Sequence, residues 1–142
     1  MFIKNFFPFV GQLHYWVYKL PFLGETLVRG ANRAVAQAAY HLPVLGGKLC
    51  QTVSELKSEW FRFLERLGLA PRATYEDENS FHWEIDFCPY HFHRLEDQGV
   101  CDACMDLDRE YIEQLGGRLE ILETIPGGSH SCRFITHLYN VK

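Results

Sequence analysis

Ser80-Phe81-His82-Trp83-Glu84-Ile85-Asp86-Phe87-Cys88 alternates without a break. Phe81, Trp83, Ile85 and Phe87 fall on one side of an extended chain. His82, Glu84, Asp86 and Cys88 fall on the other. The stretch therefore predicts a strand with one aromatic face and one ionisable face, stopped by Pro89. Downstream, Arg118 to Ile125 and Ser131 to Tyr139 read as two further strands. They are joined by Pro126-Gly127-Gly128-Ser129, a turn that makes them an antiparallel hairpin.

Helices surround these strands. Leu49, Val53, Leu56, Trp60, Phe63, Leu64 and Leu67 recur at threes and fours, predicting a helix over 48–67 that Gly68 and Pro71 end. Residues 74–80 read as an acidic, polar link, 91–98 as a short helix and 102–115 as a longer one, stopped by Gly116-Gly117. The expected class is α+β: a small antiparallel sheet with packed helices over 48–142, preceded by a helical, aromatic-rich extension over 1–47. At 142 residues the chain suits one such domain.

The first fifty residues hold nine aromatics, and five basic residues stand against the single acid Glu25. That +4 leaves −8 for the rest of a chain whose total is −4. Pro8-Phe9-Val10-Gly11, Pro21-Phe22-Leu23-Gly24 and Pro43-Val44-Leu45-Gly46 share one pattern, which reads as short helical pieces set off by turns. Residues 25–41 are helix-forming. Two uses compete for this segment: packing on the domain or a partner subunit, and anchoring at a membrane surface. Five dispersed cations form no basic stripe, so nucleic acid is not an expected partner. No run approaches the roughly 18 apolar residues that span a bilayer. The odd cysteine count and the lack of a secretory signal favour a cytoplasmic location, or a peripheral one at the inner face of a membrane.

Chemistry concentrates in the last third of the chain. Cys88-Pro89-Tyr90-His91 and Cys101-Asp102-Ala103-Cys104 together have the two-plus-two arrangement of a zinc knuckle. Cys132 in place of His91 would give four thiolates, for zinc or an iron–sulfur cluster. Alternatively, Cys88 is a nucleophile activated by His91, His130 or His137. Cys132 and Cys50 also read as small buried core residues, and His14 and His41 as packed or interfacial histidines. Asp106 is a candidate site carboxylate just beyond Cys104. The other acids on its helix, Asp108 among them, read as a solvated face.

Cys88-Pro-Tyr-His, Cys101, Cys104 with Asp106, and Ile125-Pro-Gly-Gly-Ser-His-Ser-Cys132-Arg-Phe134 resemble the L-2-amino-thiazoline-4-carboxylic acid hydrolase-like family. More distantly, they are similar to 4-vinyl reductase domains. The resemblance covers about residues 50–140. It implies hydrolytic opening of a small cyclic amidine. Cys88, Cys101, Asp106 and Cys132 match the family pattern, and His91 lies beside it. The roles it implies are nucleophile or ligand for Cys88, base or ligand for His91, and carboxylate partner for Asp106. Asp86, Arg133 and His130 are the expected contacts to substrate. The alternative is an accessory subunit without activity, binding a metal or ligand and docked through residues 1–47.

Overall fold

The computed structural model describes residues 2–139, with side chains from residue 5 onward. Helices α1 (Phe2–Tyr18), α2 (Gly24–His41) and α3 (Val53–Arg66) precede strands β1 (Arg72–Glu76) and β2 (Ser80–Ile85). A single 3₁₀ turn at Leu95–Asp97 leads into α4 (Gln98–Cys104) and α5 (Asp106–Gln114). The hairpin β3 (Gly117–Glu123) and β4 (Cys132–Leu138) closes the fold. The sheet is antiparallel throughout, in the order β1-β2-β4-β3. The expected α+β class is the observed one.

The aromatic face of β2 makes the core. In the register Phe81↔Thr136, Trp83↔Phe134 and Ile85↔Cys132, Trp83 stacks on Phe134 with ring centroids 4.2 Å apart. The Trp83 indole N–H donates to Thr136 Oγ1 at 2.9 Å, which satisfies both buried polar groups. Against this face lie Leu56, Trp60, Phe63 and Leu64 of α3 and Tyr111 and Ile112 of α5. Phe63 and Tyr111 stack at 3.9 Å. Thr52 caps α3 by accepting from the Glu55 N–H at 3.2 Å. The helix therefore starts later than its apolar periodicity suggests, and Cys50 donates its N–H to the Leu115 carbonyl at 2.8 Å instead.

Three expectations need correction. The link before β2 contains β1, whose five residues are all exposed, so no alternation of burial marks it. The helix expected over 102–115 is broken at Met105 into α4 and α5. Of the helix expected over 91–98, only the 3₁₀ turn forms.

Helices α1 and α2 are built into the fold. Ala36 and Ala39 of α2 belong to the main core, so burial runs across the expected boundary at 47/48. Val28 joins Phe92, Val100, Cys101, Ala103 and Cys104 in a second cluster, to which Tyr15, Val17 and Tyr18 of α1 also pack. Ion pairs fasten α2 to α4 and α5. Arg29 reaches Asp102 at 2.8 Å and Asp106 at 3.0 Å, and Arg33 reaches Asp106 at 2.8 Å. Pro21 to Gly24 forms the turn between α1 and α2, whereas Pro8 lies inside α1.

Gly11 lets α1 approach the loop after β2, because a Cβ there would stand 2.6 Å from the Tyr90 carbonyl oxygen and 2.9 Å from Tyr90 Cβ. Gly11→Ala gains up to about 1 kcal/mol of helix propensity but meets an overpacking cost of about 1–3 kcal/mol. The expected result is a lower melting temperature with earlier proteolytic cleavage within α1. Unchanged protease resistance would mean that α1 is not held against Tyr90.

Candidate functional site

A largely apolar cavity of about 70 Å³ lies where the two clusters meet. At a water's share of liquid volume, about 30 Å³, it holds about two waters. Trp83 and Ile85 of β2, Phe134 of β4 and Leu64 of α3 form one side. Phe7 of α1 and the loop Phe87 to Tyr90 form another. Cys88, Cys101, Cys132 and Asp108 supply its chemistry. Three of the five cysteines are thus drawn together from a loop, a helix and a strand. All five are free thiols.

Burial pushes each of these thiols above its ordinary range. Cys101 is raised furthest, first by burial and then by its proximity to Cys88 and Cys132. At Cys88, hydrogen bonding from the backbone at Phe92, Tyr90 and His91 opposes the effect of burial. Cys132 has one such backbone donor, Ile125, whereas Cys88 has three, so the local backbone favours the Cys88 thiolate most. Cys132 accepts the Ile125 N–H at 3.4 Å.

Asp108 is the residue that sequence reasoning missed. It follows Asp106 by two positions, a rotation of about 200° around α5, so the two carboxylates face opposite ways. Burial against the cavity pushes the Asp108 carboxyl up to about 7, with only the charge of Arg109 opposing. Such a group gives and takes a proton near neutrality. The signal available in the sequence was its place beside Leu107 on a helix facing the aromatic strand, although an acid in an acidic run looks solvated.

Asp106 belongs to the ion-pair ring. Both of its oxygens face guanidiniums, from Arg29 and Arg109 on Oδ1 and from Arg33 on Oδ2. It therefore fastens helices and lies outside the thiol cavity. Asp86 is exposed, 3.6 Å from Arg72. Arg133 is exposed and pairs with Glu123 at 3.2 Å, and His130 is exposed in the β3–β4 turn. None of these three lines the cavity.

His91 is exposed as well. Its N–H donates to the Cys88 carbonyl at 3.1 Å and its φ is 60°, so the Cys-x-x-His spacing closes a turn. Cys104 sits outside the cavity, its sulfur 3.3 Å from Nδ1 of His14. Burial raises that thiol to about 12 and lowers the imidazole, so the pair is neutral and ties α1 to α4. The metal set expected from Cys88, His91, Cys101, Cys104 and Cys132 is thereby corrected. Among the described residues, no three His, Cys, Asp or Glu side chains are grouped to hold a metal ion. Only Cys88, Cys101 and Cys132 of that set line one cavity, which is short of the four ligands that a closed zinc or iron–sulfur site needs.

No family model matches the chain, and neither does any curated protein sequence.

Proposed function

We propose that the protein opens a small cyclic amidine by hydrolysis in the cavity between Cys88, Cys132 and Asp108. The observation that carries this reading is the Asp108 carboxyl, held near 7 in an apolar cavity with three thiols. An amidinium ring is flat, cationic and small; the cavity of about 70 Å³ is about half the roughly 150 Å³ that takes a benzene ring, so the ring enters as the lining side chains move apart. Ionised Asp108 pairs with the amidinium. It then takes a proton from the attacking water as the new C–O bond forms at the amidine carbon. It returns that proton to the ring atom that departs when its bond to this carbon breaks. Cys88, with backbone donors around its sulfur, is the alternative attacking group, in which case water subsequently releases the product. The resemblance to thiazoline hydrolases supports the same reaction class.

The lining contains no lysine or arginine. A ring carboxylate has no counter-charge inside, so the cavity suits 2-aminothiazoline better than its 4-carboxylate.

The test is loss of thiazoline absorbance, with the ring-opened product identified by mass spectrometry. Asp108→Asn is expected to lower kcat/KM by about a hundredfold or more. The wild-type rate should show an inflection near pH 7. Cys88→Ser separates attack by thiol from attack by water. Amidine binding that depends on Asp108 but gives no product would assign ligand binding without turnover. No binding at all would remove the reading.

A further inference from the structure

Helix α1 carries an apolar stripe that the protein does not cover. Phe6, Phe9, Leu13 and Trp16 are all more than half exposed, with Phe9 at 68% and Trp16 at 65%. At about 100° per residue they lie within an arc of about 80°. The opposite side of the same helix, including Phe7, Gly11 and His14, faces Tyr90 and Cys104. This second side fixes the helix on the fold, so the stripe is held outward.

The stripe continues through Leu20 to the tip of the α1–α2 turn, where Phe22 is fully exposed. Phe22 adopts a φ of 68°, a conformation that a bulky side chain rarely takes. The turn spends an unfavourable backbone geometry on displaying an aromatic ring to the outside.

Residues 1–24 contain no aspartate or glutamate, while Lys4 and Lys19 flank the stripe in sequence. The Lys19 ammonium lies 5.1 Å from the Tyr15 ring centre. Among the described residues, no helix is long and apolar enough to cross a membrane. Phe and Trp on an outward helix face, free of acids and with Lys19 at its end, match the headgroup boundary of an anionic bilayer. We infer that α1 and the Phe22 turn dock the protein flat onto an anionic lipid surface. Phe7 lines the cavity from the inner side of the same helix, so the cavity lies just behind the docked face.

The test uses the full chain with vesicles of phosphatidylcholine and phosphatidylglycerol, read by co-sedimentation and by tryptophan emission. Trp60 and Trp83 are buried, so a blue shift on adding vesicles reports Trp16. Phe6→Ser with Phe9→Ser should weaken partitioning about a hundredfold and abolish the shift, at roughly tenfold for each aromatic removed from the interface. Phe22→Asn, which suits a positive φ, should weaken it about tenfold without lowering the melting temperature. Three results overturn the inference: no partitioning into the anionic vesicles, partitioning that the variants leave unchanged, or light scattering showing a dimer that the double variant dissociates. The last would assign the stripe to a second copy of this chain.

Discussion

Asp108→Asn is expected to stabilise the protein at pH 8 by about 2 kcal/mol and to leave it nearly unchanged at pH 3.5. In the unfolded chain this carboxyl ionises around 3.8, whereas in the cavity burial holds it protonated up to about 7. Between those values the folded state keeps a proton that the unfolded state has released. Stability therefore falls as pH rises across the interval and levels off above it. The ceiling is about 4 kcal/mol, at about 1.4 kcal/mol per pH unit. Asp108 keeps partial contact with solvent, which reduces the expected effect to about half. Asparagine keeps the shape and never ionises, so the variant escapes the loss. Urea denaturation at pH 4, 6 and 8 measures it. Parallel curves for wild type and variant would show that the cavity does not hold the carboxyl neutral, and the acid–base role would go with it. A variant that is more stable and less active would mark Asp108 as a group kept at a structural cost for its chemistry.

Asp106→Asn should do the reverse: lower stability by about 2–3 kcal/mol while leaving the activity of each folded molecule intact. Its side chain is 5% exposed and lies against Arg29, Arg33 and Arg109. Removing one partner from a fully buried pair costs about 3–5 kcal/mol. The arginines here retain water, and Arg29 and Arg109 keep Asp102, so a smaller loss is expected. The urea midpoint should drop without a change in slope. Asp102 shares the ring, and although burial would raise it, hydrogen bonds from Arg109 and Arg29 hold its carboxyl below the ordinary range. Its contribution is present above the unfolded value near 3.8 and is lost as pH falls through the lower folded one. The ring thus fails in acid while Asp108 weakens the fold from about pH 4 upward, so together they place the stability maximum near pH 4. If Asp106→Asn abolished thiazoline opening with the fold intact, the division of roles between the two aspartates would be wrong.

Local order was legible in the chain alone. The alternation of Phe81, Trp83 and Ile85 fixed β2 and its buried face, the Gly127-Gly128 turn marked the β3–β4 hairpin, and the threefold and fourfold recurrence from Val53 to Leu64 marked α3. The two periodic patterns are burial signals contained within one element, and the glycine turn is a local backbone signal. β1 escaped because an edge strand exposed along its length carries no such signal, and the break at Met105 because helical propensity continues across it.

The site was half legible. Cysteine chemistry announced itself, and Cys88, Cys101 and Cys132 do meet, but which thiols face one cavity depends on how a loop, a helix and a strand pack. The same limit separates Asp106 from Asp108. Two aspartates two residues apart look alike in sequence, and only the packing of α2 on one side of α5 and the sheet on the other makes one a fastener among arginines and the other a proton carrier in an apolar cavity. Side-chain character is local, whereas burial and charge environment are set by residues distant in the chain, and these fix what a carboxyl or a thiol can do.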